Sequence, residues 1–293
     1  MIAHAAAVRS PATVVIRSAD TDVLMITLSS ISKIDENKTI YLETGLASKN
    51  THKFINVTAL SKELGVELSN SLAGFHAYTG CDQIPSFAGK GKLNPLKILK
   101  KNKSYQKAFA ALGSSEIIPD ETLQQIEKYT CELYKITKHT DEKMNPEVDD
   151  ARFQLFASKY EPKKKTKAIL QVKGIDGSSL PPCKSAFIQQ VRRANCVSSV
   201  WNVAHSFKSK MFPAETNGWI LKSNPNGNSQ YAINWFEGEM MPKKLEEIID
   251  EEEPTQPTSP GDEVQQGEED ERDDDDDLDN DTEEEEARDE EED

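Results

Sequence analysis

The chain of 293 residues lacks the cysteine patterns, long apolar runs and nucleotide-binding motifs of several common protein classes. It has four cysteines and no CxxC pair, so neither a zinc knuckle nor a disulfide scaffold is indicated, and a reducing compartment is expected. No apolar run approaches the roughly 20 residues that span a bilayer. The first residues are too short and too weakly apolar for a signal peptide. The Walker A phosphate-binding pattern is also absent.

Acidic residues are plentiful, but they are concentrated at one end of the chain. The formal net charge is -16. Residues 250–293 hold 26 acidic and two basic residues, which leaves 33 basic against 25 acidic residues in 1–249. A basic body favours a polyanion such as DNA as its partner. Because like charges repel and little there is apolar, the tail 250–293 is expected to be disordered.

The tail has three interpretations that the sequence leaves open. It competes with DNA for the basic body, it contacts basic proteins such as histones, or it only keeps the protein soluble. The basic segment 162–167 is either a nuclear import signal or a linker. We therefore expect a nuclear or cytoplasmic protein, with the nucleus slightly favoured and no membrane partner.

The order of the apolar segments predicts an α/β fold followed by helices and a small C-terminal module. The β-branched run at 13–17 predicts a buried parallel strand, and Thr58 is a candidate helix cap. Strands are predicted at 13–17, 38–44, 52–57, 218–221 and 231–235, and helices at 2–8, 23–31, 58–65, 69–80, 93–112, 119–139, 146–160 and 184–208. Alternating strands and helices favour a mostly parallel sheet.

Five regions follow from this order. They are an α/β domain at 1–112, a helical extension at 113–161, a linker at 162–182, a small α+β module at 183–249 and the disordered acidic tail at 250–293. In the module, the apolar positions of the long helix recur every three or four residues. Its Trp201, together with Trp219 and Trp235, is expected to be core rather than a platform for nucleic-acid bases.

Three aspartates at the ends of predicted elements form the candidate site. Asp20 and Asp22 directly follow the first strand, where open α/β sheets usually place their sites. Asp82 follows the end of another element. Carboxylates gathered in this way bind Mg²⁺ or Mn²⁺. Two such ions would support hydrolysis of a phosphodiester bond.

Each aspartate also has a purely structural interpretation. Asp20 is an equally good helix N-cap, with Asp22 stabilised by the helix dipole in the first turn. Asp82 is harder to explain in this way, since a negative charge is disfavoured just after a helix C-terminus, although it could cap the next turn. His76 and Tyr78 are expected to be core residues, and Cys81 a small buried residue rather than a nucleophile.

A glycine-lysine loop follows the last aspartate. Gly89 and Gly91 let backbone N–H groups approach a phosphate, and Lys90 and Lys92 add positive charge. A solvated turn is the alternative. More lysines follow and extend the basic patch or form a solvated helix face; they are Lys97, Lys100, Lys101 and Lys103.

These motifs resemble the PIN-like nuclease fold, and within it the flap-endonuclease branch. The matching residues are Ser18–Leu24 (SADTDVL), Thr79–Asp82 (TGCD) and Gly89–Lys92 (GKGK). The resemblance implies that Asp20, Asp22 and Asp82 are catalytic metal ligands for Mg²⁺ or Mn²⁺. It also implies that Gly89, Lys90, Gly91 and Lys92 contact the DNA backbone.

A closer resemblance is to uncharacterised mobile-element-like proteins of invertebrate genomes. Their chains carry SPDTDVLVL, then HALTGCDTTSAFFGKGK, then a C-terminal LPP and GW region. The same order appears here at 18–25, 76–92, 180–201 and 218–221, so the resemblance covers most of 1–236. The acidic tail departs from it, since some relatives end in a cysteine-rich segment.

The resemblance also places further metal-binding acids upstream of the helix at 2–8. A chain that starts at Met1 would lack these acids and the first strand of the fold. Two functions are therefore expected. One is a metal-dependent, structure-specific DNA nuclease or its inactive truncated remnant. The other is a non-catalytic nucleic-acid or chromatin adaptor with an acidic regulatory tail.

Overall fold

The structure, a computed structural model, describes residues 1–136, 147–160, 176–208, 211–223 and 226–238. Within these ranges the helices are α1 (Ile2–Ala7), α2 (Thr21–Ser30), α3 (Val57–Leu64), α4 (Val66–Tyr78), α5 (Leu93–Lys101), α6 (Lys103–Ala111), α7 (Asp120–Leu133), α8 (Val148–Tyr160) and α9 (Lys184–Trp201). The strands are β1 (Ala12–Arg17), β2 (Lys38–Thr44), β3 (Lys53–Asn56), β4 (Trp219–Ser223) and β5 (Ser229–Ile233). Most of the predicted linker, the end of the C-terminal module and the acidic tail lie outside the described residues.

The fold is α/β, as predicted, but its main sheet is mixed rather than mostly parallel. β1 pairs with β2 in parallel, with Val14 opposite Ile40. β3 pairs with β2 in the antiparallel direction, with Leu42 opposite Ile55. The reason is the length of the connection, because parallel neighbours need a crossover of a dozen or more residues. The segment 45–52 is too short for that.

β1 is an edge strand and is buried on one face only. The strand order is β1-β2-β3, and exposure alternates along β1, from 5% at Ile16 to 49% at Val15. The prediction of a parallel strand is therefore confirmed, and the predicted burial holds for one face only. A β-branched run signals strand propensity, but it does not say how many faces of the sheet are covered.

Helix α4 lies at the centre of the described structure. All residues from Ser71 to Gly80 are buried, and the helix contacts α2, α6 and α9. Small residues allow this close packing. A Cβ added at Gly74 would lie 2.2 Å from the carbonyl oxygen of Phe109 in α6, so only glycine fits there.

Helix α9 is attached to the rest of the fold mainly through backbone groups of other segments. The Gln190 amide donates to the carbonyls of Tyr78 and Pro85 at 3.0 and 2.8 Å. The Asn195 side chain accepts from Gly113 N at 2.7 Å. Similar bonds run from Arg193 to the carbonyls of Gly218 and Asn234, at 3.2 and 2.7 Å. These bonds satisfy polar groups that would otherwise be buried without partners.

A buried ion pair joins α7 to the start of α9. Glu127 is 5% exposed, and its carboxylate accepts from Lys184 Nζ at 2.5 Å. It also accepts from Val148 N, the first residue of α8, at 3.1 Å. One carboxylate therefore links three helices, two of which flank the residues 161–175 that are not described.

Two local features differ from the sequence-based prediction. Asn56, not Thr58, caps α3 by accepting from Ala59 N at 2.9 Å. The Thr58 hydroxyl instead accepts from Ile40 N at 2.8 Å, which ties α3 to β2. The predicted helix at 93–112 is divided into α5 and α6 at Asn102, whose side chain caps α6 at Ser104 N.

The C-terminal hairpin was predicted as two strands, and the structure confirms it. β4 and β5 are antiparallel, with Leu221 opposite Tyr231. Trp201 and Trp219 pack against the core, as expected. The prediction for Trp235 was wrong, since its side chain is 56% exposed. No helix of the described ranges is long and apolar enough to cross a bilayer.

Substitution of Gly74 tests the close packing of α4. Alanine is the better helix former by about 1 kcal/mol, but overpacking a core costs about 1–3 kcal/mol. We expect Gly74→Ala to lower the free energy of unfolding in urea. Gly177→Ala is the matched control, because its Cβ meets nothing within 4 Å. It should be neutral or slightly stabilising, and a stabilised Gly74→Ala variant would contradict the packing described.

Candidate functional site

Asp20 lies between the end of β1 and the start of α2, as the sequence predicted. Its carboxylate Oδ1 accepts from Asp22 N at 2.8 Å, and its own N–H donates to Ser18 Oγ at 3.1 Å. This is the geometry of a helix N-cap. The capping interpretation of Asp20 is therefore confirmed, and its role as a metal ligand stays a prediction.

Asp22 belongs to a hydrogen-bonded row of three side chains, Asp22, His76 and Lys92, which the sequence did not predict. His76 Nε2 lies 2.6 Å from Asp22 Oδ1, and Lys92 Nζ lies 2.7 Å from His76 Nδ1. A lysine ammonium can only donate. With a charged Lys92, Nδ1 of His76 is therefore the acceptor, and Nε2 carries the proton that is donated to Asp22.

The ammonium of Lys92 faces inward. It donates to the backbone carbonyls of His76, at 3.3 Å, and of Gly80, both at the C-terminal end of α4. A cation is favourable there because the helix dipole is negative at that end. The predicted contact of Lys92 with the DNA backbone stays a prediction. In the structure its ammonium is hydrogen-bonded to an imidazole and to backbone carbonyls of the protein itself.

Burial controls the protonation of this row of side chains. Burial lowers the pKa of His76, while the hydrogen bond to Asp22 opposes the shift. Burial also lowers the pKa of Lys92. At Cys81, burial raises the pKa of the thiol, which makes it a poor nucleophile. Cys81 is half-buried rather than buried, and the expectation that it is not catalytic stays a prediction.

Asp82 stands apart from the row of Asp22, His76 and Lys92. It occupies the tip of a tight turn in which Cys81 and Ile84 exchange backbone hydrogen bonds at 3.0 and 3.1 Å. Its side chain is exposed. Tight turns tolerate aspartate well, so the local geometry explains a charge at this position without a ligand.

The three aspartates do not form a complete metal site in the described part of the chain. No three histidine, cysteine, aspartate or glutamate side chains are grouped there so that they could hold a metal ion. Asp20 and Asp22 each use one carboxylate oxygen in a hydrogen bond. The described residues therefore do not by themselves fit the Mg²⁺ or Mn²⁺ that the sequence predicted.

The glycine-lysine loop is open. A Cβ at either Gly89 or Gly91 would meet nothing within 4 Å, and Gly89 has a φ of +66° that favours glycine. Lys90 Nζ lies 4.4 Å from the centre of the Tyr134 ring, a cation–π contact. Lys92 precedes α5, whose N-terminus has no side-chain cap.

We call Lys97, Lys100, Lys101, Lys103 and Lys107 the basic surface. All five side chains are exposed. Lys103 is paired with Glu67 at 2.7 Å, and among the described residues it is the only one of the five in an ion pair. Uncompensated lysines along α5 and α6 create a positive potential beside the loop.

His76 is the residue of the candidate site that the sequence did not mark, because a histidine in an apolar helix is usually a core residue. The core assignment was correct, since its side chain is 4% exposed. What the pattern could not show is that α2 and the glycine-lysine loop both meet it. A buried imidazole needs partners for both nitrogens, and that requirement is the signal that could have pointed to Asp22 and Lys92.

Comparison with known proteins identifies no relative. No family model matches the chain, and no curated protein or solved structure is significantly similar to it. The site must therefore be interpreted from its own geometry.

The hydrogen-bonded side chains of Asp22, His76 and Lys92 lead to a prediction of how stability depends on pH. The pKa of His76 is lowered in the folded state, so the unfolded chain binds the proton first as pH falls through about 6.5. Stability is fully present above that pH and is lost as the pH falls towards the folded-state pKa. We expect the unfolding free energy to fall from about pH 7 to 5, and to fall less steeply in His76→Gln.

Denaturant titrations at several pH values measure these slopes. His52→Gln, at a more exposed histidine, controls for the loss of one imidazole. If the unfolding free energy of His76→Gln shows the same slope against pH as the wild type and His52→Gln, protonation of His76 does not determine this pH dependence.

Proposed function

We propose that the protein binds the phosphate backbone of DNA through the glycine-lysine loop and the basic surface. The observation that carries this proposal is the run of five exposed lysines between Lys97 and Lys107 directly after an open loop. Lysines and backbone N–H groups contact phosphates and carry little information about base sequence. The binding is therefore expected to be strongly salt-dependent and weakly sequence-dependent.

The finer assignment of the fold is also a proposal. The order of the motifs supports a partial PIN-like domain, and the mixed α/β sheet with Asp20 after β1 is compatible with it. A mobile-element origin has the same support, which is the resemblance of the segments at 18–25, 76–92 and 180–201.

The acidic tail adds a second kind of partner to the proposal. Its charge suits basic proteins such as histones, and a chromatin adaptor would combine such a partner with DNA. The segment 162–167 supports a nuclear location through its four lysines. Both features lie outside the described residues, so their support comes from composition alone.

Removal of two lysines tests DNA binding. Lys97 and Lys101 are four residues apart and share one side of α5. We expect the Lys97→Gln/Lys101→Gln variant to bind duplex DNA more weakly. The slope of log K against log salt concentration is negative, and each lost phosphate contact should reduce its magnitude by about 0.9. The magnitude of the slope should therefore be smaller by about 1.8 in the double variant. Fluorescence anisotropy with labelled oligonucleotides at several salt concentrations measures both quantities.

Two lysines elsewhere provide the control. Lys49 and Lys53 are exposed and lie at and near β3, so Lys49→Gln/Lys53→Gln changes the net charge equally. Equal losses in both double variants would show that only net charge matters. An unchanged affinity after Lys97→Gln/Lys101→Gln would remove the basic surface from the proposal.

Metal-dependent hydrolysis of DNA is the second candidate function. It is favoured by Asp20 and Asp22 at the carboxyl end of β1, the edge at which α/β sheets place their sites. The incomplete ligand set among the described residues makes it the weaker candidate. A remnant of such a nuclease would retain DNA binding without cleavage.

Cleavage assays decide between these candidates. If the protein is a nuclease, flap or single-stranded DNA should be cleaved with Mg²⁺ or Mn²⁺ and not after chelation, and Asp82→Ala should abolish the activity. Asp120→Ala, an exposed acid in the first turn of α7, is the control. Cleavage that persists in Asp82→Ala rules out the predicted role of Asp82, and binding without any cleavage supports an adaptor or an inactive remnant over an active nuclease.

A further inference from the structure

The outer edge of β1 carries backbone groups without a strand to pair with. Ala12 N donates to Asn37 O, and Ser18 N donates to Glu43 O. In a parallel pair, alternate residues direct their N–H and C=O groups to the same neighbour. The even-numbered residues of β1 therefore face β2, and Thr13, Val15 and Arg17 direct theirs away from it. No other described strand lies on that side.

The edge has few of the features with which proteins usually prevent edge pairing. Such features include very short strands, charged residues or proline within the strand, and bulges. β1 is six residues long and contains no proline, and its one charged residue, Arg17, is the last residue of the strand. By contrast, β3 at the opposite edge has four residues and begins at Lys53. Val15, in the middle of β1, is 49% exposed.

We propose that β1 pairs with β1 of a second copy of this chain, antiparallel and centred on Val15. In this register Val15 lies opposite Val15 of the other copy, and Thr13 lies opposite Arg17. These are the residues whose N–H and C=O groups point outward, so they form the hydrogen-bonded pairs of the new ladder. The two three-stranded sheets then become one six-stranded sheet.

A second copy fits this edge because the strand is complementary to itself. Across the two-fold axis an apolar residue meets an apolar residue, and a hydroxyl meets a guanidinium. Val14 and Ile16 meet on the face that packs on the core. No like charges lie directly opposite each other, which would be unfavourable. Arg17 also has an acid near it within its own chain, Glu43 at 3.8 Å.

The physical reason for pairing lies in the open edge itself. An edge strand presents a row of N–H and C=O groups that have no strand to pair with. Antiparallel pairing with an identical strand needs no crossover connection, and a second chain can provide it directly.

The mass of the protein in solution tests the dimer. We expect sedimentation equilibrium to show a reversible dimer for the wild-type chain. Val15→Lys would place two ammonium groups opposite each other, and that variant should be a monomer. Phe54→Lys is the matched control, because it also puts a lysine at an exposed apolar position, 56% exposed, but on the other edge. It should remain a dimer, and circular dichroism checks that both variants are folded.

Cross-linking tests the register. Residues directly opposite in a hydrogen-bonded antiparallel pair have Cα atoms about 5.5 Å apart, within the range that a disulfide spans. Under mild oxidation Val15→Cys should therefore give a covalent dimer, and Thr13→Cys should not, because it faces Arg17. A monomeric wild type, a dimeric Val15→Lys variant, or equal cross-linking of both cysteine variants would each overturn the proposal. These readouts do not depend on DNA binding.

Discussion

The described structure depends on one helix whose second half has no side facing water. Helix α4 is buried over its whole second half, and three other helices surround it. Such a helix needs small side chains where neighbours come close, and Gly74 provides the closest approach, to the backbone of α6. Helices α2, α6 and α9 all pack against α4, so the surface of α4 determines where these helices lie.

The enclosure of α4 also creates the candidate site. His76 points into this packed region, where an unpaired imidazole would be costly. Its two nitrogens are satisfied by Asp22 at the start of α2 and by Lys92 at the start of α5. The need of a buried imidazole for hydrogen-bond partners thus brings the start of α2 and the start of α5 together. This need explains why Asp22 and Lys92 both contact His76. The sequence had marked Asp22 as a metal ligand and Lys92 as a DNA contact.

Local signals in the sequence were enough to predict which segments form helices and strands. β2 was predicted with its observed bounds, and the hairpin of β4 and β5 was predicted from its turn and its aromatic residues. Direction and exposure could not be predicted in the same way. The antiparallel β3 follows from a short connection, and the exposed Trp235 follows from the absence of a described layer over it. Both the direction of β3 and the exposure of Trp235 depend on neighbouring elements rather than on the segment itself.

The candidate site shows the same division. The sequence correctly placed Asp20 at a junction of strand and helix and correctly left its capping role open. It could not show that Lys92 turns inward, because the direction of a long side chain depends on the acceptors within its reach. In this protein those acceptors are the carbonyl groups at the end of α4, and their position is known only when the helix is seen in place.

The attachment of α9 has a consequence for which positions can vary. Gln190, Arg193 and Asn195 bind mainly backbone groups of the segments around them. Every residue type has such groups, except that proline lacks the N–H. The contacted loops can therefore exchange side chains without losing these bonds, whereas each of these three helix positions contacts two or more separate backbone groups at once. The contacted loops should therefore tolerate many substitutions. Substitutions of the three polar residues of α9 should be tolerated poorly.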